Sequence, residues 1–234
     1  MKAFLLAAGH GTRLRPLTDR TPKCLLPIRG QPVLEIWLEL CCSLGIEEVL
    51  VNIHSHAEQV RMFLARRQGP PKVRVVEELF LLGSAGTLMA NRTWVEDEAL
   101  FWVFYADVLT NMNFKPMLEM HQQRKPAATL GIYKVPDPSR CGVVELSADG
   151  TVNRFVEKPA HPTSNLAFAG VLVGTSKLLA TIPDGKPTDI GFDVLPRLTG
   201  HMLAYPIEEY LVDIGTIDNY AEAQNTWPGL QGGL

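Results

Sequence analysis

Lys2-Ala3-Phe4-Leu5-Leu6-Ala7-Ala8-Gly9-His10-Gly11-Thr12-Arg13-Leu14-Arg15-Pro16-Leu17-Thr18, followed closely by Thr21-Pro22-Lys23, reads as a buried strand that stops abruptly in a loop. The run Ala3–Ala8 is apolar throughout, as expected for a strand covered on both faces. The loop after it holds two glycines, a hydroxyl, two arginines and then a lysine. Small residues let a ligand lie against backbone, loop amides can face phosphate oxygens, and the cations balance phosphate charge. Residues 1–30 carry six basic groups against the single acid Asp19, a local +5, on a chain whose total is −3. A basic loop at a strand end, on an otherwise acidic protein, predicts a polyphosphate site.

Beyond this loop, short apolar runs alternate with helical patterns, which predicts an α/β fold with a Rossmann-like, mostly parallel sheet flanked by helices. Strands are expected at Val49–Ile53, Val73–Val76, Leu100–Tyr105 and Ala128–Val135. Helices are expected at Val33–Leu44, Ala57–Arg67 (with Ser55 as its cap) and Phe114–Lys125. After Pro136 the texture changes. Val143–Leu146 and Val152–Val156 flank Ser147-Ala148-Asp149-Gly150, a hairpin turn signal. The stretch of about residues 137–170 therefore reads as a small antiparallel insertion forming one wall of a cleft. The chain returns through Phe168–Val173, a helix near Ser176, a strand near Leu211 and a helix over Ile217–Asn225. We expect one domain over 1–234, with a nucleotide-binding part over about 1–135.

Size, charge and cysteines narrow the class. A net charge of −3 argues against nucleic acid or an anionic membrane as partner. The N-terminal apolar run is too short for a secretory core and far too short to span a bilayer, so a cytoplasmic protein is expected. Cys24, Cys41, Cys42 and Cys141 show no C-x-x-C spacing, and Cys41-Cys42 in a helical pattern read as buried free thiols. The loop lacks the Gly-Lys-Ser/Thr ending of a P-loop. It also lacks the third glycine of a dinucleotide fold, and the second strand ends in His54 instead of an acid.

In a parallel sheet the ligand crevice lies beyond the carboxyl ends of the strands, so polar residues just after apolar runs are informative. Asp107 follows Phe101–Ala106 and Asp213 follows Tyr210-Leu211-Val212. Two strands ending in aspartate supply the hard oxygen donors that Mg²⁺ takes, phosphates and waters completing the octahedron. Lys158, after the strand Val152–Val156, is placed to meet a second anion across the cleft from Arg13 and Lys23. His54 and His56, the group Met112, Met117 and Met120, and Trp94, Trp102 and Trp227 read as packing residues.

G-x-G-T-R-L-x-P-L-T followed by P-K resembles the opening of the sugar-1-phosphate nucleotidyltransferases. The resemblance runs from Lys2 to about Tyr220 with the motifs in order. It implies transfer of a nucleoside monophosphate from a nucleoside triphosphate to a sugar 1-phosphate, with pyrophosphate released and Mg²⁺ required. It places Leu6, Ala7, Ala8, Gly9, Gly11, Thr12, Arg13 and Lys23 around the nucleotide. Tyr105-Ala106-Asp107-Val108-Leu109 resembles the family's N-G-D-x-L, and Asp213-Ile214-Gly215-Thr216-Ile217 its D-I-G-T-P, so Asp107 and Asp213 are the implied metal ligands. Leu82-Gly83-Ser84-Ala85-Gly86 resembles L-G-T-A-G, implying Gly83 and Gly86 at base and ribose before a helix, with Glu78 a candidate acceptor for a base amino group.

Glu157-Lys158-Pro159 resembles E-K-P, implying that Lys158 holds the sugar phosphate and Glu157 a sugar hydroxyl. Gly142, in Cys141-Gly142-Val143-Val144, and Gly170, in Phe168-Ala169-Gly170, stand at the implied sugar side, and Phe168 replaces an asparagine there. Asp193-Val194-Leu195-Pro196 matches a family segment read as architecture. The catalytic set is then Arg13, Lys23, Asp107 and Asp213. Length and the L-G-S-A-G segment lean towards guanylyl transfer to a mannose- or heptose-type 1-phosphate. Thymidylyl, uridylyl or cytidylyl transfer, a phosphocholine acceptor, and a non-catalytic nucleotide-sugar-binding relative stay open. No hexapeptide repeat occurs, so no β-helix is expected. Family members are often dimers or tetramers, which admits a homo-oligomer here.

Overall fold

The computed structural model describes residues 1–185 and 187–230. In chain order its elements are β1 (Lys2–Leu6), β2 (Pro27–Ile28), β3 (Gln31–Pro32), α1 (Val33–Ser43), β4 (Glu48–Ile53), α2 (Ala57–Arg66), β5 (Lys72–Glu77), α3 (Ser84–Ala90), β6 (Phe101–Tyr105), β7 (Val108–Thr110), α4 (Lys115–Arg124), β8 (Ala128–Lys134), β9 (Gly142–Leu146), β10 (Val152–Glu157), β11 (Leu166–Gly174), α5 (Ser176–Thr181), β12 (Met202–Pro206), β13 (Leu211–Asp213) and α6 (Ile217–Thr226). A five-residue π-helix, Ile190–Val194, lies between α5 and β12. The fold is α/β, a mostly parallel sheet with helices and small antiparallel sheets, as the alternation of patterns predicts. The chain divides into two compact units.

The first unit comprises Met1–Leu81, Phe104–Met112 and the segment from Glu209 onward. β1, β4 and β5 run parallel, with Leu5 opposite Val51 and Val51 opposite Val75. Ala3, Phe4, Leu5, Val49, Leu50 and Val51 are fully buried, so the near-continuous apolar runs mark strands covered on both faces. α1 follows Pro32 and buries Leu34, Ile36, Trp37, Leu38 and Cys41. Trp37 packs on Phe104 at 4.8 Å, and its indole N–H donates to the Val108 carbonyl at 2.8 Å. Burying a side chain this size contributes about 2–3 kcal/mol, and here it also fixes the strand that follows Asp107. β7 pairs antiparallel with β13, three residues on each side.

The second unit comprises Leu82–Val103 and Asn113–Glu208. β11 pairs antiparallel with β8 and β9, β10 pairs antiparallel with β9, and β12 runs parallel to β8. The predicted hairpin turn is present. Asp149 accepts from the Ser147 hydroxyl and from the amide and hydroxyl of Thr151, and Gly150 takes the positive φ. Those hydrogen bonds, first that from Ser147, hold the Asp149 carboxyl well below the usual carboxylate range.

Several expectations are corrected. β1 ends at Leu6, because the amides of Ala7 and Ala8 leave the ladder for the Asn52 side chain. Ser55 does not cap α2; His56 occupies that position at φ +54 with no side-chain cap. Cys41 is buried but Cys42 is exposed, on the solvent side of α1. Gly86 lies inside α3 and not before it. Strand β12 and the π-helix carry no periodic signal long enough to read.

His121 on α4 is buried, and its Nδ1 meets the Thr129 hydroxyl at 2.9 Å. Burial lowers its pKa from 6.5 to about 4. Because the folded value lies below the unfolded one, the folded state resists protonation, and stability falls as pH drops from about 6.5 to about 4. The melting temperature should decline across this window, and His121→Gln should flatten that part of the profile, as read by thermal denaturation against pH.

Candidate active site

The loop after β1 is built around Gly11. Its φ of +61 favours glycine, and a Cβ there would stand 2.8 Å from the Thr18 methyl. The Thr18 hydroxyl donates to the Gly11 carbonyl at 2.8 Å, closing the loop. A 3₁₀ turn, Thr12–Leu14, follows, anchored by the buried Leu14 with Arg13 exposed beside it. The amides of Ala7 and Ala8 donate to Asn52 Oδ1 at 2.8 and 3.3 Å. Asn52 Nδ2 in turn donates to Glu78 Oε1 at 2.8 Å. Free amides for an anion therefore begin at Gly9: those of residues 9–13 have no acceptor among the described residues. Glu78 is buried, and its carbonyl accepts from His54 Nδ1 at 2.7 Å, so His54 is structural.

Asp107 and Asp213 are brought together by the β7–β13 pairing. Val108 lies opposite Asp213, and the Ile214 amide donates to the Asp107 carbonyl at 2.9 Å. The amide of Ala106 donates to the Leu6 carbonyl at 3.0 Å, which ties this corner to the end of β1. Lys23, on the 3₁₀ turn Lys23–Leu25, places Nζ 2.6 Å from Asp107 Oδ2. Asp213 Oδ1 accepts from the Gly215 amide at 2.7 Å, and its carbonyl accepts from Asn219 Nδ2. Burial raises the Asp213 carboxyl pKa and the Asp107 charge adds to the rise, against the pull of Lys23, the Gly215 amide and Arg13.

Gly215 marks the convergence of this set. A Cβ there would lie 2.7 Å from Asp213 Oδ1, 2.8 Å from Arg13 Nη2 and 3.2 Å from Lys23 Nζ. All three are side-chain atoms, so an added methyl displaces them and not the backbone. Gly215→Ala should fold with a melting temperature within a few degrees of the parent and lose activity about tenfold or more, because misplacing charged groups by a fraction of an ångström weakens preorganised electrostatics. Steady-state kinetics beside thermal denaturation would check this. Asp107 and Asp213 are the oxygen donors that could take a divalent cation. The described residues contain no cluster of three or more His, Cys, Asp or Glu side chains suited to a metal.

In the second unit, Gly83 at φ +78 presses on the Thr188 carbonyl, which leaves no space for a side chain. The amides of Ala85 and Gly86 both donate to that carbonyl, at 3.1 and 3.2 Å. The small residues of this loop thus serve a backbone clamp. Gly142 packs under the Phe155 ring and the Glu157 carboxylate, 2.5 and 2.6 Å from its Cβ position. Gly170, at φ +68, lies where the β11–β8 register shifts.

Lys158 follows β10 with φ +49, a left-handed conformation costing a non-glycine residue about 1–2 kcal/mol. Its Nζ lies 3.7 Å from Glu157 Oε1 and 5.4 Å from the Phe192 ring centroid. Burial raises the Glu157 carboxyl, Lys158 opposes the shift and Asp189 adds to it. Asp189 caps the π-helix, its Oδ1 accepting from the amides of Gly191 and Phe192, while Ser84 donates to its Oδ2 at 2.8 Å.

The sequence-predicted residues thus fall into two sets. Arg13, Lys23, Asp107 and Asp213 converge in the first unit, at the end of the loop that carries Gly9, Gly11 and Thr12. Gly142, Glu157 and Lys158 converge in the second. Asn52, Gly215, Ser84, Asp189 and Phe192 were not singled out. Only the polar Asn52 inside an apolar strand carried a local signal.

The family model for nucleotidyl transferases matches residues 2–228, and the chain belongs to that family. A mannose-1-phosphate guanylyltransferase catalytic subunit beta from Danio rerio is 34% identical over 221 residues, which is 92% of this chain and 61% of the relative. The chain therefore spans about three-fifths of the length of the curated relatives it matches. The fold is similar to that of HddC from Yersinia pseudotuberculosis, solved with GMP-PN (TM-score 0.80, 23% identity, 97% of this chain and 99% of that one). It is also similar to that of a UDP-glucose pyrophosphorylase solved with UDP-glucose (TM-score 0.84, 21% identity, 97% of each chain). No helix among the described residues is long and apolar enough to cross a membrane.

Proposed function

We propose that the chain transfers a nucleoside monophosphate from a nucleoside triphosphate to a sugar 1-phosphate, with GTP and a mannose- or heptose-type acceptor as the leading pair. The observation that carries this reading is the convergence of Arg13, Lys23 and Asp213 on Gly215, with Asp107 bonded to Lys23 and the amides of residues 9–13 open beside them. The guanylyltransferase name of the zebrafish relative supports the base.

The sugar phosphate is already an anion, so the reaction needs neither a protein nucleophile nor a general base. A sugar-phosphate oxygen forms the new bond to the α-phosphorus, the α–β bridging P–O bond breaks, and its electron pair leaves with pyrophosphate. The difficulty is to hold mutually repelling anions in line, so positioning and fixed positive charge carry the rate. Arg13 binds the β- and γ-phosphates and the leaving pyrophosphate. Lys23 stands near the α-phosphate, where charge grows in the transition state. Asp107 and Asp213 would hold Mg²⁺, which when bound supplies charge neutralisation at the phosphates. The donor chemistry fits: both are carboxylates, and their mutual repulsion is relieved by a dication. Lys158 seats the sugar phosphate and Glu157 accepts from a sugar hydroxyl.

The test is pyrophosphate release with Mg²⁺, pairing GTP, dTTP, UTP and CTP with mannose, heptose and glucose 1-phosphates. Release with GTP and a manno-configured acceptor is expected. Release with another pair changes the substrates and keeps the reaction. Silence throughout, with the triphosphate still bound, overturns the proposal. Lys158→Ala should raise the KM for the sugar phosphate about tenfold or more, the usual size of a lost charged hydrogen bond, and leave the KM for the nucleotide near the parent value.

A further inference from the structure

Phe192 is the feature of the second unit that neither folding nor the transfer chemistry has used. It is 55% exposed, yet its backbone is tied down by hydrogen bonds. It sits in the π-helix, a rare geometry frequently found at functional sites, and its amide is bonded to the capping Asp189. The amide of the neighbouring Ile190 donates to the Ser84 hydroxyl at 2.8 Å, and the amide of Asp189 itself donates to Asp193 Oδ2 at 2.7 Å. Gly191 lies against the Glu157 carboxylate with no room for a side chain, which locks the π-helix to β10. This hydrogen-bonded frame presents a half-exposed aromatic ring, with the Lys158 ammonium 5.4 Å from its centroid and Glu157 next to that ammonium.

These three groups offer an ammonium, a carboxylate and an apolar ring within one small area. A pyranosyl 1-phosphate presents the complementary set: a phosphate, hydroxyls, and a face of C–H bonds. We propose that Phe192 is a specificity-determining platform of the acceptor site, on whose ring the C–H face of a pyranose packs while Lys158 takes the phosphate. This rests on the reading of Lys158 as the sugar-phosphate lysine. The same ring orients the lysine through a cation–π contact. An acceptor lacking a pyranose, such as phosphocholine or a simple alkyl phosphate, leaves the ring uncovered and loses that contact.

The experiment compares Phe192→Ala, Phe192→Trp and Lys158→Ala with the parent. It uses the pyranosyl 1-phosphate that supports turnover, with glycerol phosphate as a competing phosphate monoester without a pyranose. Phe192→Ala should raise the KM for the sugar phosphate about tenfold, as for loss of one aromatic packing surface. The KM for the nucleoside triphosphate should stay unchanged, inhibition by glycerol phosphate should weaken less than threefold, and Phe192→Trp should restore most of the loss. Equal weakening of both phosphates would overturn the platform and leave Phe192 a positioning residue for Lys158. An unchanged sugar KM in Phe192→Ala, with a raised one in Lys158→Ala, would overturn the platform and leave the acceptor site in place. If Lys158→Ala is also without effect, the acceptor-site reading fails and the platform with it. Because the ring is exposed, the melting temperature should stay within a few degrees.

Discussion

Asp213→Asn should lower kcat by 100-fold or more, about 2.7 kcal/mol of barrier, while the protein stays folded and melts at the same or a higher temperature. The two halves of this expectation have one cause. Asp213 is partly buried beside Asp107, and both the desolvation and the neighbouring charge raise its pKa. An acid whose folded pKa is raised above its unfolded value costs the folded state stability once pH exceeds the unfolded value, because the native environment disfavours its ionised form. At neutral pH the asparagine removes that cost and still accepts from the Gly215 amide through Oδ1. It also removes one of the two charges proposed to hold the metal. Turnover and thermal denaturation at pH 7 check both halves. Near-parent turnover would remove Asp213 from the mechanism, and a large loss of stability would make its role structural.

Lys23→Met should be comparably damaging but with the opposite effect on stability. Its ammonium, mostly buried, lies 2.6 Å from Asp107 and close to the Gly215 position. Removal leaves two carboxylates facing each other without their cation. Loss of one partner of a largely desolvated ion pair costs about 1–3 kcal/mol, less than in a fully buried pair because Asp107 is partly exposed. The melting temperature should fall by several degrees, and kcat by about 100-fold with the loss of the charge proposed to stand at the α-phosphate. Added Mg²⁺ should recover stability in this variant by more than in the parent, since a dication can replace the missing charge. Denaturation with and without Mg²⁺ measures this. Lys23→Arg, which retains charge but not shape, should fall between the two.

The first unit was the more legible in sequence. The apolar run before Gly9 and the cations after it announce a strand and an anion-binding loop, because both signals are local. The same holds for Asp107 and Asp213, each placed by the short apolar run before it. Their convergence was not legible: it depends on a three-residue pairing between β7 and β13, segments about a hundred residues apart, and such short strands carry no usable period. Asn52 looked like one more strand residue, although its side chain takes the two amides that end β1.

In the second unit the glycines have a packing reason that the sequence does not display. At Gly83 and Gly142 the position a Cβ would take is filled by Thr188, and by Phe155 and Glu157, respectively. A glycine in a sequence says that a Cβ is excluded, not what excludes it. The π-helix escaped notice because five residues offer no periodicity to read, and with it went the placement of Phe192.

The most direct measurement is the fate of the phosphates of the donor nucleotide. Incubated with Mg²⁺, mannose 1-phosphate and GTP labelled at the α-phosphorus, the protein should pass the label to GDP-mannose. With GTP labelled at the γ-phosphorus, the label should appear only in pyrophosphate. Label from the γ-position in a sugar product or in orthophosphate would contradict attack at the α-phosphorus, and with it the roles given to Arg13, Lys23, Asp107 and Asp213.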